Sequence, residues 1–253
     1  MVGDPRIESM GGLAKGLAIL ECFGAETPRL TLSEAARRTG LSRAAARRCL
    51  LTLLELGYVA LDGRDFLPQP RLLRLGYAFL SSTPLAKLAM PVLEATQAAL
   101  DEAVSLAILD GNEVVFIARS APRRMVSLGP GIGSRLPSWC SATGRVLLAG
   151  LGLAEAAERL EGMLFEPLTS RTVLGRTAVM EAISLALRDG FAISDEELEL
   201  GLRSLAVPVR TSSMRVTAAL SVSTQPARTS LHDLHERLLP VLRDAAGMLT
   251  VHG

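Results

Sequence analysis

Apolar positions return every three or four residues through Leu13, Leu17 and Leu20, with Ile19 and Phe23 beside them, and the pattern stops at Gly24. That spacing predicts an N-terminal helix with a glycine stop. After a loop over 25–30 that contains Pro28, Thr31 or Ser33 suits an N-cap, and Leu32, Ala35, Ala36 and Thr39 carry the stripe of a second helix up to Gly40. Leu41 then turns inward and Ser42 offers the cap of a third helix. Its Ala46, Leu50, Leu53 and Leu54 share one face, while Ala44, Arg47, Arg48 and Leu51 lie elsewhere. Two short helices joined by a tight glycine turn form a helix-turn-helix. Residues 58–61 and 64–67 follow as a hairpin about the turn pair Asp62-Gly63, and a hairpin directly after a recognition helix is a wing.

Pro68 and Pro70 end the hairpin, and two more helical stripes come next: Leu72, Leu75 and Phe79, then Leu85, Leu88, Val92, Thr96 and Ala99. From Val104 the texture changes. Apolar runs at 104–109 and 114–118 flank Asp110-Gly111-Asn112, another hairpin signal, and runs at 205–209 and 216–222 read as further strands. Helical stripes return at 141–149, 154–160 and 178–187, and a last amphipathic helix carries Leu231, Leu234, Leu238, Leu242, Ala245 and Leu249. Hairpins mixed with flanking helices indicate an α+β domain of sensor type. The expected organisation is a winged helix-turn-helix over 9–70, a linker helix over 71–84 and the larger domain over 85–253.

Composition adds to this picture in three places. Hydrophobic residues make up 49% and charged residues 21% of the 253, with both signs interspersed, so the whole chain is expected to fold, as two domains. With no basic-apolar-small leader and no apolar run of about 18 residues, neither secretion nor a membrane span is supported, and the cytoplasm is the expected location. Cys22, Cys49 and Cys140 are far apart and odd in number, which suits reduced, mostly buried thiols and not a disulfide frame or metal knuckle. Net charge is only +1, but it is unevenly spread: the stretch 29–48 holds Arg29, Arg37, Arg38, Arg43, Arg47 and Arg48 against Glu34 alone.

That cluster sits where chemistry needs it. A recognition helix fits the major groove, where arginine bonds a guanine edge with two donors and other arginines and hydroxyls hold phosphates. The candidate DNA contacts are Arg43, Arg47 and Arg48, with Ser42 and Ala44 in the opening turn, Thr31 and Ser33 at the start of the preceding helix, and Arg64 at the wing tip. The competing reading is a metabolite-sensing protein-interaction module without specific DNA binding, with a solvated arginine face and an idle Arg64.

A second region runs through the glycine-rich stretch 129–137 into Ser138-Trp139-Cys140-Ser141-Ala142-Thr143-Gly144. Small residues at a helix start leave backbone N–H groups available, so 141–144 suit a ligand carboxylate with Trp139 as a wall; the plain alternative is a structural loop entering a helix. No Gly-Lys-Ser/Thr ending is present, which argues against a phosphate-binding enzyme. Ser194, beside Asp195, Glu196 and Glu197, and the alternating pair Ser221 and Ser223 offer hydroxyls that call for ligand or water partners if buried, or a solvated face if not. His232, His235 and His252 lack any HExxH or nucleophile-base signature, and Cys140 lacks a placed base. No catalytic residue, metal or cofactor is therefore expected.

The residues from Leu32 to Arg48, the wing after Gly57-Tyr58-Val59, the segment Leu136-Pro137 to Arg145, and Asp195-Glu196-Glu197 followed by Gly201-Leu202-Arg203-Ser204-Leu205-Ala206-Val207-Pro208-Val209 together resemble the IclR family of bacterial regulators over nearly the whole chain. The resemblance implies a winged helix-turn-helix, a linker helix used in dimerisation and a GAF-like effector-binding domain. It also implies homodimers or homotetramers on palindromic double-stranded operators. By that similarity the effector pocket is lined by Leu128, Leu136, Ala142, Thr143, Ser194, Leu202, Ser204, Ser221 and Ser223. Ser194 stands where some relatives carry an acidic residue and Ser204 where a relative has cysteine. The Ser42–Arg48 stretch looks most like the branch that regulates protocatechuate and β-ketoadipate catabolism, which implies a carboxylated aromatic or keto-acid effector and no membrane partner.

Overall fold

The computed structural model describes residues 10–122 and 131–250, and its contacts divide the chain into two compact units between Phe79 and Leu80. The N-terminal unit holds α1 (Gly11–Leu20), β1 (Leu30–Thr31), α2 (Leu32–Thr39), α3 (Arg43–Glu55), β2 (Val59–Asp62) and β3 (Asp65–Pro68). Its core is small and apolar, built from Ile19, Ala35, Ala46, Leu50, Leu53, Val59 and Phe66. The wing is more firmly tied than a free hairpin. β1 pairs antiparallel with β3 through Leu30↔Phe66 and Thr31↔Asp65, which sets the strand order β1-β3-β2 and joins the wing to the start of α2. The expected turn is displaced by one residue: Asp62 pairs with Asp65, so the two-residue turn is Gly63-Arg64 and not Asp62-Gly63. Gly63 has φ +61°, and a two-residue hairpin needs a positive φ at its first central position, which glycine adopts without strain.

A 3₁₀ turn over Pro70–Leu72 leads into α4 (Leu73–Ser82), which carries the exposed apolar residues Leu73, Leu75, Tyr77 and Phe79. The C-terminal unit is one six-stranded antiparallel sheet in the order β6-β5-β4-β9-β8-β7: β4 (Ala103–Asp110), β5 (Glu113–Ser120), β6 (Arg135–Pro137), β7 (Ala192–Asp195), β8 (Arg203–Arg210) and β9 (Val216–Thr224). One face carries Leu106, Leu205, Val207, Leu220 and Val222. It is covered by α5 (Pro84–Leu100) and by the C-terminal helical run, which comprises α9 (Leu231–Asp233), π-helical turns over Leu234–Leu238 and α10 (Leu239–Met248). The opposite face carries Ala107, Phe116, Ala206 and Ala219 beneath α6 (Ala142–Leu151), α7 (Leu153–Arg159) and α8 (Arg176–Asp189).

α5 buries Leu85, Ala89, Leu93 and Thr96 while Leu88 is exposed, a stripe rotated from the expected Leu85, Leu88, Val92, Thr96 and Ala99. Both series fit the helical period, and the one used sets small Ala89 against the sheet so that the helix axis comes close. β1, β6 and β7 were not foreseen as strands; at two to four residues they are too short for alternation to register. Leu231 is exposed, whereas the remaining apolar residues expected in the last helix are buried.

Gly144 marks the closest backbone approach in the unit: a Cβ built there would collide with the backbone carbonyl of Ser138. Because that neighbour is backbone, the segment entering α6 has to shift to admit one methyl group. Gly144→Ala is therefore expected to destabilise the C-terminal unit by about 1–3 kcal/mol or more, read as a lower unfolding midpoint. Gly247→Ala, within α10 and with nothing within 4 Å of the added carbon, serves as the control and should leave the midpoint unchanged or slightly raised.

Candidate nucleic-acid interface and ligand site

Two caps fix the helix-turn-helix. Thr31 is the N-cap of α2, its hydroxyl accepting the Glu34 N–H at 3.2 Å while the Glu34 carboxylate accepts the Thr31 N–H at 2.9 Å and its hydroxyl at 2.7 Å. These bonds, the backbone one first, hold the Glu34 carboxyl below its ordinary value. Of the two candidate caps, Thr31 serves and Ser33 stands exposed in the first turn. Gly40, at φ +67°, ends α2 in the left-handed conformation, and Ser42 caps α3 by accepting the Ala45 N–H at 3.2 Å.

With Ala45, Ala46, Leu50 and Leu53 buried, α3 presents Ser42, Arg43, Ala44, Arg47, Arg48 and Leu51 to solvent. Arg43 and Arg47 are one turn apart on the exposed face. Arg48 lies at its edge, where it also lines a groove of about 840 Å³ with Leu13, Leu17, Cys49 and Leu56. Arg64 is exposed at the tip of the wing, and Arg29 is drawn to Asp65 at 3.4 Å. The structure thus places the expected arginines on one capped helix and one hairpin tip, an arrangement that presents cationic donors to an anionic groove.

In the C-terminal unit, strand register brings the expected hydroxyls together. Ser194, Ser204 and Ser223 are direct partners across β7, β8 and β9. On the adjoining rung Ala206 pairs with Ser221, and Ser221 with Ser105 of β4. Residues directly opposite one another share a face, so this hydroxyl patch lies on the side covered by α6. Ser194 and Ser221 are buried and Ser204 and Ser223 half-buried, which favours satisfied partners over a solvated face. Ser194 donates to the Cys140 carbonyl at 3.0 Å, and Ser221 makes a longer 3.4 Å bond to the Ser105 carbonyl. Leu136 pairs with Val114 on the same face, Ala142 and Thr143 are buried in the first turn of α6, and Leu202 lies half-buried in the β7–β8 connection. Leu128 lies outside the described residues. Ser141 caps α6 by accepting the Gly144 N–H at 3.0 Å. Trp139 is buried edge-on to Phe165, with ring centroids 5.2 Å apart.

Sequence reasoning did not foresee the ion pair beneath this site. Arg145 and Glu197 are both nearly inaccessible and meet through two parallel bonds of 2.6 Å, with further bonds from Arg145 to the Trp139 carbonyl and from the Val173 N–H to Glu197. The pair is 52 residues apart in sequence, and no local pattern announces it. Cys22 and Cys49 are half-buried and Cys140 is fully buried. Burial pushes the Cys140 thiol up to about 12, so it is protonated at neutral pH. His232 and His235 are exposed, and among the described residues no group of three His, Cys, Asp or Glu is placed to hold a metal. His252 lies outside the described residues.

Comparison with known proteins matches both units. The family described as bacterial transcriptional regulator IclR C-terminal matches residues 77–251, and the IclR helix-turn-helix domain matches 12–63. The chain is similar to the Pca regulon regulatory protein of Pseudomonas putida, with 41% identity over 245 residues, covering 96% of this chain and 84% of that protein. It is also similar to the p-hydroxybenzoate hydroxylase transcriptional activator of Acinetobacter baylyi, with 38% identity covering 95% and 90% respectively. Among solved structures, a putative transcriptional regulator from Rhodococcus sp. RHA1 superposes with a TM-score of 0.80 at 45% identity, covering 95% of this chain and 97% of that one. An IclR homolog complexed with 4-hydroxybenzoate, from Microbacterium hydrocarbonoxydans, superposes at 0.77 with 28% identity, covering 94% and 97%.

Truncating Glu197 leaves the Arg145 guanidinium buried without its counter-charge. Glu197→Ala is expected to cost roughly 3–5 kcal/mol in denaturant unfolding of the C-terminal unit. The apolar pair Arg145→Met with Glu197→Leu should recover most of that loss, because neither charge is then stranded.

Proposed function

The chain belongs to the IclR family of bacterial transcriptional regulators, and from that membership we propose that its C-terminal unit binds a small carboxylated aromatic or keto acid whose occupancy alters operator binding or promoter activity. It is a DNA-binding regulator with a helix-turn-helix. The observation that supports the effector reading best is the pair of hydroxyl rungs, Ser194–Ser204–Ser223 and Ser221–Ser105, gathered under α6 where a soluble domain would otherwise bury hydrocarbon. The relatives named above for Pca and p-hydroxybenzoate regulation, and the neighbour holding 4-hydroxybenzoate, point to the same ligand class.

In this reading Leu128, Leu136, Ala142, Thr143, Ser194, Leu202, Ser204, Ser221 and Ser223 line the effector site. Arg43, Arg47 and Arg48, with Ser42 and Ala44, enter the major groove, while Thr31 and Ser33 stand at the backbone and Arg64 reaches from the wing. The DNA-binding domain spans 9–70, a linker helix spans 71–84 and the effector domain 85–253. The exposed Leu73 and Tyr77 on one side of α4, and Leu75 and Phe79 on the other, support assembly as a homodimer or homotetramer on a palindromic operator, since large apolar side chains exposed around a helix call for a partner. The role is regulatory and non-catalytic, in the cytoplasm; among the described residues no helix is long and apolar enough to cross a membrane.

Titrating the protein against its own upstream intergenic DNA, with and without aromatic and keto acids, at two salt concentrations tests both halves. Salt-dependent, sequence-preferring binding that shifts with one acid is expected; absence of sequence preference at every salt overturns the reading. Within the same assay, Arg47→Ala should cost about 1–3 kcal/mol at one operator position if it reads guanine. A phosphate contact would instead weaken all sequences alike and reduce the salt slope by about one.

A further inference from the structure

We propose that the C-terminal unit carries a further ligand site between the β8–β9 hairpin and α10, which takes the phosphate group of a small phosphate monoester on Arg210 and Arg243. The site does not depend on the effector reading above, because it lies on the other side of the sheet.

A cavity of about 470 Å³ opens there, lined by Pro208 and Arg210 at the end of β8, Ser212 and Met214 of the hairpin turn, and Arg243 and Gly247 of α10. Val207 and Ala246 also line it, and both belong to the core beneath α5 and α10, opposite the hydroxyl rungs. The volume falls within the roughly 300–1,000 Å³ of small-molecule sites, so an organic body fits beside one anionic group.

The two arginines are held in place but not neutralised. Arg210 donates through Nη1 to the Met214 carbonyl at 3.0 Å, and Arg243 through Nη2 to the Asp189 carbonyl at 2.9 Å. The Arg243 guanidinium also lies over the Phe191 ring, 5.6 Å from its centroid. Among the described residues neither has a carboxylate partner, whereas Arg135, Arg145, Arg171 and Arg203 each have one. No carboxylate lines the cavity: the Asp189 side chain is taken by Arg188 at 2.7 and 3.0 Å, and Asp244 is not among the lining residues. The ends of α8 and α10 bring partial negative charge of roughly half a unit each, which two full cations outweigh. Like charges lining one cavity repel, and an anion between them removes that cost.

The hairpin turn is shaped around Arg210. The Thr211 N–H donates to the Arg215 carbonyl at 2.8 Å, which closes a three-residue turn over 212–214. Met214 stands in it at φ +66°, a left-handed position that such turns usually give to glycine or asparagine. In that conformation its carbonyl receives the Arg210 guanidinium. Strained backbone that positions a cation at the rim of a cavity is a mark of binding sites.

The donor set selects phosphate over carboxylate. One guanidinium fork is enough to fill a planar carboxylate. Here the forks come from a strand end and a helix, with Ser212 as a third donor, and a phosphate monoester has three terminal oxygens to meet them.

Full-length wild type, Arg210→Gln, Arg243→Gln and Arg47→Ala would be titrated calorimetrically with glycerol 3-phosphate, inorganic phosphate and succinate at constant ionic strength. Trp139, the chain's single tryptophan, lies in the C-terminal unit and reports its melting in chloride, which identifies any variant that does not fold. The wild type should bind glycerol 3-phosphate saturably and at least as tightly as inorganic phosphate, with succinate weaker than both. Folded Arg210→Gln and Arg243→Gln should each lose roughly tenfold or more for the ester, and Arg47→Ala, on the recognition helix, should lose nothing. Should Arg243→Gln not fold, Arg210→Gln decides the matter alone. Wild type that binds neither phosphate, or folded glutamine variants that bind as tightly as wild type, overturns the site. Loss in Arg47→Ala alone places the phosphate on the recognition helix and overturns it too. Preference for succinate overturns the ligand class, and binding of inorganic phosphate without the ester overturns the monoester.

Discussion

Side chains on a β-strand alternate between faces, so a sheet covered by helices on both sides needs both alternating sets to be apolar or otherwise satisfied. The C-terminal unit meets this requirement unequally. Beneath α5 and α10 the sheet carries Leu106, Leu205, Val207, Leu220 and Val222, large enough to hold the helices by packing alone. Beneath α6 the same strands carry the much smaller Ser105, Ala206, Ala219, Ser221 and Ser223. One face packs by bulk, and on the other small side chains let α6 lie close to the strands. Antiparallel register makes this division possible, because it lines up small residues from four strands, β4, β9, β8 and β7, that are brought together from distant parts of the chain.

Small side chains alone leave the placement of α6 loosely specified, and the buried Arg145–Glu197 pair fixes it. It joins the first turn of α6, the Trp139 carbonyl, the β7–β8 connection and the Val173 backbone in one buried network. Thr172 adds a bond to the Glu197 carbonyl, Thr169 one to the Glu196 carbonyl, and Arg171 spans the Asp195 and Glu196 carboxylates. A buried ion pair contributes little net stability when compared with a hydrocarbon replacement, but it fixes geometry because breaking it is costly. The segment around Ser194 is thereby held in place by the fold itself, which under the proposed effector reading lowers the ordering cost of binding.

Local signals were legible in the sequence, and long-range ones were not. The helix-turn-helix is written in nearest-neighbour chemistry: Gly40 adopts the left-handed end, Ser42 caps, and the apolar stripe of α3 chooses which arginines face out. The exact wing turn was missed by one residue because Asp62-Gly63 and Gly63-Arg64 differ only in which position takes the positive φ, and pairing with β1 is part of that choice. The α5 stripe was ambiguous within the helical period until the sheet selected Ala89. Ser194, Ser221 and Ser223 stood out as hydroxyls in the sequence and Ser204 entered through the family resemblance, but that they are neighbours across β7, β8 and β9 follows from pairing between distant segments. Arg119 was not foreseen, since its place beside Ser105 depends on a β-bulge between Leu106 and Ala107 that shifts the β4–β5 register.

That bulge bears on burial as well as legibility. Without it, alternation along β5 from Phe116, which lies beneath α6, would place residue 118 on that face and turn 119 toward α5 and α10. The extra residue inverts the alternation, so Ala118 joins the apolar core with Leu106 and Arg119 turns to the side of Ser105. A guanidinium on the other face would lie among leucines and valines at a severe desolvation cost. The irregularity in the ladder therefore decides whether Arg119 lies among leucines and valines or beside the serines beneath α6.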